Sequence, residues 1–217
     1  GRSAQLVTEE REEWGGSKHR HAADGTMARS SMSAAEPLVT VVVPVRGDAI
    51  PLTALLAQLP SRPGLQIVVS SSGPTDPVHD EVRSRRPDVT WVDGPTGRGV
   101  QLNAGAAVAR GRWLWFVHAD SHPPADWFEA FEALESRPDV AGGAFAFRLD
   151  SRAWQARWLE WAVAARVRVF GLPYGDQGIF SRRAVFHSLG GFTAIPLMED
   201  VEFVGRLKQQ GRMVHLS

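Results

Sequence analysis

From Leu38 onward, the apolar positions switch repeatedly between two spacings. Leu38 to Val45, LVTVVVPV, is a nearly continuous β-branched run, the pattern of a strand buried on both faces of a parallel sheet. Pro44 near its end and Gly47 beyond it suit a strand that stops at a ligand crevice, because proline donates no ladder hydrogen bond. Leu52, Leu55, Leu56 and Leu59 then recur at helical spacing behind Pro51. Gln66 to Ser70 reads as a second strand and runs into the loop signal Ser71-Ser72-Gly73-Pro74-Thr75-Asp76. A short helix over 77–85 and a third strand over 89–92 follow. Strands alternating with helices predict an α/β fold, a Rossmann-like mostly parallel sheet with right-handed crossovers and helices on its faces.

The stretch from Gly97 to Asp120, GRGVQLNAGAAVARGRWLWFVHAD, carries the first candidate chemistry. It reads as a glycine-rich turn with Arg98, a small-residue helix over 100–109, and a short strand over 113–117 that delivers His118 and Asp120 at its carboxyl end. Open α/β sheets bind ligands there. Strand residues two apart share a face, so the imidazole and the carboxylate are expected to point the same way. Such a pair suits Mg²⁺ or Mn²⁺. The alternative is that Asp120 caps a helix over 123–135 and His118 sits on the rim.

Past Asp120 the pattern loosens. Residues 140–149 read as a strand in which Gly142-Gly143 allows close backbone approach or a bulge. Residues 152–169 form the longest helical candidate, with Trp154, Trp158 and Trp161 on one face. That face is either core or, with Arg152, Arg157, Arg166 and Arg168 interleaved, a membrane or acceptor contact. A loop over 171–178 holds Asp176. A short strand and helix follow, the helix stopped by Gly190-Gly191. In Ile195 to Leu207, Glu199 and Asp200 are expected to open a helix, where the macrodipole favours carboxylates. Asp200 is a candidate general base.

Composition narrows this picture. The 24 basic and 24 acidic residues of the 217 cancel, which argues against a global attraction to nucleic acid or anionic lipid. With no cysteine, disulfides and thiolate metal sites are excluded. No apolar run approaches transmembrane length, and the start of the chain lacks a signal-peptide layout. Residues 1–36 are polar and aperiodic and predict a disordered extension ahead of a single domain over 37–217. The expected location is cytoplasmic, with peripheral contact at the inner membrane face if the tryptophan-bearing helix touches lipid.

Taken together, the β-branched run VTVVVPV, the Gly73–Asp76 loop, GRGVQLNAGAAVARG, FVHAD and MEDVEF resemble the ordered blocks of family 2 glycosyltransferases with the GT-A fold. RGVQLNAGA, FVHAD, GLPYGDQGIFSRRAVF and IPLMEDVEF are similar to a bacterial subgroup labelled arsenosugar-biosynthesis or radical-SAM/selenodomain-associated transferases. The resemblance runs from about Val39 to Leu216.

The resemblance implies an inverting transfer of a sugar from a nucleotide-diphosphate sugar to a small or lipid-linked acceptor, with Mn²⁺ or Mg²⁺ as cofactor. Its Asp-x-Asp metal motif falls on His118-Ala119-Asp120, so Asp120 inherits the metal and diphosphate role, while histidine replaces the first acid. Its catalytic base falls on Asp200, beside Glu199. Pro44, Ser71, Ser72, Arg98 and Asn103 join Asp120 on the donor side, although Ser71 and Ser72 stand where the family commonly places acids for the nucleobase and ribose. Asp176 and Gln177 match the acceptor-side loop. Relatives commonly continue past the position of Ser217, so the domain is expected to be short at its carboxyl end. Two other readings are a catalytically weak nucleotide- or sugar-binding relative and a nucleotidyltransferase on a similar sheet. The latter would favour a lysine-bearing glycine-rich loop after the first strand, where this chain has only Val45-Arg46-Gly47-Asp48.

Overall fold

The computed structural model describes residues 36–216 except 48, 73–76, 146–177 and 196. The Gly73–Asp76 loop, the tryptophan-bearing segment, Asp176 and Gln177 lie outside the described residues, as does all of the expected extension but Glu36. Among the described residues, seven strands form one sheet in the order β3-β2-β1-β4-β6-β5-β7. They are β1 (Val39–Val45), β2 (Leu65–Ser71), β3 (Val89–Asp93), β4 (Trp113–Phe116), β5 (Val140–Phe145), β6 (Ile179–Arg182) and β7 (Arg212–Leu216). The helices are α1 (Ala49–Gln58), α2 (Pro77–Arg85), α3 (Arg98–Ala107), α4 (Trp127–Leu134), α5 (Arg183–Ser188) and α6 (Glu199–Leu207). The fold is therefore α/β with a mostly parallel sheet flanked by helices, as the alternation predicts. β6 is the exception, running antiparallel to both β4 and β5.

Burial follows the strand period of two on both faces. Val39, Val41, Val43 and Val45 join Trp113, Trp115 and the α1 and α4 leucines and aromatics in one cluster. Val42, Leu114 and Phe116 pack against Leu102, Phe186 and Phe203 in the other. A strand with two buried faces has no polar side to show, which is why β1 is a continuous apolar run. Gly105 lets α3 approach this sheet closely, because a Cβ there would lie 2.4 Å from Val42 Cγ1.

The expected glycine irregularity in β5 is present. The β5–β7 register shifts between Val140 and Gly142. Added Cβ atoms would lie 2.4 Å from the Phe180 carbonyl at Gly142 and 2.0 Å from the Val214 carbonyl at Gly143. Among the described residues, no helix is long and apolar enough to cross a membrane.

Three local expectations need correction. The fourth strand ends at Phe116, not Val117, and residues 118–121 form a turn closed by the Ser121 N–H donating to the His118 carbonyl at 3.1 Å. Strand alternation therefore does not govern His118 and Asp120. Nor does Asp120 cap α4, since that helix begins at Trp127 with Asp126 at its N-cap. The glycine-rich helix starts at Arg98 rather than at Val100, taking Arg98 and Gly99 into its first turn.

Candidate active site

β1 pairs with β2 along its whole length but with β4 only as far as Val42↔Phe116. The carbonyl of Val42 accepts from Val117 N–H at 3.0 Å, so Pro44, two residues on, turns its missing N–H toward the space beyond β4. No ladder bond is lost, and a shallow crevice opens there. Its floor is apolar, from Leu102, Phe116, Val117, Ile179 and Phe192, and its polar groups are Arg98, His118 and Asp200.

Arg98, in the first turn of α3, gathers these polar groups. Its Nε donates to Glu199 Oε1, its Nη2 lies 3.1 Å from Asp200 Oδ2, and its Nη1 lies 3.4 Å from His118 Nε2. Guanidinium nitrogens only donate, so His118 meets Arg98 with a lone pair on Nε2, the tautomer protonated on Nδ1. The side chains of Glu199 and Asp200 are only 4% and 9% exposed, whereas Arg98 is 37% exposed. Buried carboxylates need a partner, and both find it in one cation that reaches solvent.

Glu199 and Asp200 do open α6, as expected. Asp200 Oδ1 accepts the Val201 N–H at 2.8 Å. The preceding residue, Met198, has φ 68° and is the single non-glycine residue in the left-handed region among the described residues. Such backbone strain concentrates at functional sites. The turn before α6 is held by Arg206, which donates to the Leu189 carbonyl at 2.6 Å and the Gly191 carbonyl at 2.8 Å, and by Asn103, which bonds Phe192.

The remaining sequence-predicted residues fall in three places. Asp120 is exposed in the turn after His118. Ser71 ends β2 and Ser72 follows it, both buried. Ser72 Oγ, like Ser70 Oγ, has no hydrogen-bond partner among the described residues. Asn103 spends both ends of its amide on the Phe192 backbone. Sequence reading missed Gln101, whose buried amide nitrogen donates to the carbonyls of Val45 at 2.9 Å and Ser70 at 3.0 Å and so ties α3 to the ends of β1 and β2. The only signal was a polar residue in a small-residue helix. Among the described residues, no three His, Asp or Glu side chains cluster closely enough to hold a metal.

The model of glycosyl transferase family 2 matches residues 40–190. The chain belongs to this family. No curated protein sequence matches it significantly. Among solved structures, this family 2 chain is similar to a 1–349 fragment of TarS from S. aureus, with a TM-score of 0.63, 16% identity and coverage of 82% of this chain and 58% of that one. It is also similar to glucosyl-3-phosphoglycerate synthase from Mycobacterium tuberculosis in complex with Mn²⁺, UDP and glucosyl-3-phosphoglycerate. There the TM-score is 0.57, with 17% identity and coverage of 91% and 76%. The chain thus spans little more than half of the TarS fragment. At these identities the likeness shows a shared GT-A fold.

Proposed function

We propose that this family 2 domain is an inverting, metal-dependent glycosyltransferase that moves a sugar from a nucleotide-diphosphate sugar to an acceptor hydroxyl. The supporting observation is that Arg98 brings Asp200, Glu199 and His118 around one guanidinium at the carboxyl ends of β1 and β4. In this reading the acceptor oxygen bonds to the anomeric carbon as the bond to the diphosphate breaks, and the leaving electron pair stays on the diphosphate. The acceptor proton passes to the Asp200 carboxylate. Arg98 lies where it can offset charge developing on the diphosphate.

His118 lines the crevice and Asp120 is exposed in the turn two residues on, so the two would offer one imidazole and one carboxylate. That set does not make a protein-closed cage; it would fit an ion completed by substrate phosphates and water, as Mg²⁺ and Mn²⁺ commonly are, with His118 ligating through Nε2 once Arg98 Nη1 has left it. Such an ion would supply electrostatic stabilisation of the departing diphosphate. The Mn²⁺ and UDP of the mycobacterial synthase complex, and the UDP-GlcNAc of a TarS complex, support the donor class.

Ser71 and Ser72 would contact the nucleoside, and Pro44 and Asn103 would shape the pocket around it. Asp176 and Gln177 would face the acceptor, small or lipid-linked. The motif resemblance to the arsenosugar-biosynthesis transferases remains our finer assignment. The deciding experiment is calorimetry with UDP, GDP, ADP, CDP and dTDP, with and without Mn²⁺. Metal-dependent binding of one base supports the reading. Binding of none overturns it in favour of a degenerate relative.

A further inference from the structure

The arrangement around Arg98 is asymmetric. Glu199 is more deeply buried than Asp200 and holds Nε, the fixed root of the guanidinium. Asp200 and His118 hold the terminal nitrogens, which swing furthest when the side chain rotates. A diphosphate entering beside His118 and Asp120 would present oxygens to those same terminal nitrogens. Arginine pairs with phosphate through such forks. As arranged, Asp200 is committed to a cation through Oδ2, the oxygen opposite the one that accepts Val201 N–H.

We infer that Arg98 couples donor arrival to release of Asp200. Glu199 is the positioning residue that pins Nε, while Nη2 exchanges the Asp200 carboxylate for diphosphate oxygen, so Asp200 is freed to accept a proton only when a donor is bound. Glu199 then acts through Arg98 and does not touch the reacting atoms. This inference rests on the glycosyltransferase reading of the site, and it assigns the two acids of the Glu-Asp pair different tasks. It also accounts for two buried acids meeting on the same guanidinium. Without the diphosphate the two acids share the Arg98 guanidinium, and with it the cation changes partners.

The test is a double-mutant cycle read by calorimetric binding of inorganic pyrophosphate in Mg²⁺, a probe that carries neither base nor sugar. Asp200 competes with pyrophosphate for Arg98, so Asp200→Asn should tighten binding about tenfold in the wild-type background. In an Arg98→Gln background the same substitution should change binding less than about twofold. Equal tightening in both backgrounds would mean that Asp200 acts only through its field, and would overturn the coupling. If the wild type binds neither pyrophosphate nor any nucleoside diphosphate, the reading of the site itself fails. If it binds but Asp200→Asn has no effect, only the coupling fails. Should Arg98→Gln not fold, a crystal structure of the wild type with pyrophosphate and Mg²⁺ decides the question. Coupling requires Arg98 Nε still on Glu199 and Nη2 on phosphate. An intact Arg98–Asp200 pair beside bound pyrophosphate overturns it.

Discussion

Asn103 and Phe192 exchange two hydrogen bonds, Nδ2 to the Phe192 carbonyl at 2.8 Å and the Phe192 N–H to Oδ1 at 2.9 Å. The pair ties α3 to the turn that leads into the acid-bearing helix. Asn103→Ala leaves a backbone donor and acceptor without partners, and each such loss costs about 1–3 kcal/mol. The denaturation midpoint should fall accordingly. Asn103→Asp keeps the acceptor and loses the donor, so it should be destabilised less. Equal stability of wild type and Asn103→Ala would show that water replaces both bonds.

Asp200→Asn should abolish sugar transfer and leave nucleoside diphosphate binding at least as tight as in the wild type. A base acts on the transition state more than on bound donor. Normal turnover in this variant would remove Asp200 from the chemistry.

Asp120 and His118 should govern metal choice. Asp120→Ala should weaken nucleoside diphosphate binding in Mn²⁺ and leave it unchanged in chelator. His118→Asp replaces nitrogen with a second oxygen donor and should move preference toward Mg²⁺. The ratio of diphosphate affinities in Mn²⁺ and Mg²⁺ checks it, and an unchanged ratio would place His118 outside the metal's reach.

Acid sensitivity should involve Glu202. Arg206 donates to both its oxygens at 2.6 Å, and Thr193 Oγ1 donates to Oε2 at 2.9 Å. The Arg206 bond, offset in part by burial, holds this carboxyl below its ordinary value of 4.5. The unfolded chain therefore takes the proton first. Stability from this pair is complete above the ordinary value and declines as pH falls through the depressed one. Glu202 is about one-third exposed, so the effect is small, but Glu202→Gln should flatten the acid limb of the stability profile.

Gly143→Ala would put a methyl 2.0 Å from the Val214 carbonyl and 2.6 Å from Phe180 Cζ. Backbone cannot yield as a side-chain tip can, so we expect a loss of roughly 3 kcal/mol or more, at the upper end of overpacking effects. Thermal unfolding measures it.

What the sequence could show depended on whether a feature is local. β1, α1 and β2 were legible because a strand with two buried faces and a one-faced helix each impose a period on the chain. β4 was read one residue too long because Val117 is apolar, although the strand ends where β1 loses its neighbour. Asp200 was found at its helix start because the dipole favours acids there. The partnership of Arg98 with Glu199 and Asp200 was not legible, and neither was the role of Gln101. Those depend on which distant backbone ends the sheet brings together, and no spacing encodes that.

Arg98 and Glu199 are separated by 101 residues. On a growing chain, β1 to β4 and their crossovers emerge first and can pair with one another. Over that interval Arg98 has no acid to meet, and the buried positions of Glu199 and Asp200 do not yet exist. The cluster around Arg98 is therefore completed late in synthesis, with the docking of α6, and a chain interrupted before Glu199 would retain most of the parallel sheet yet lack both acids.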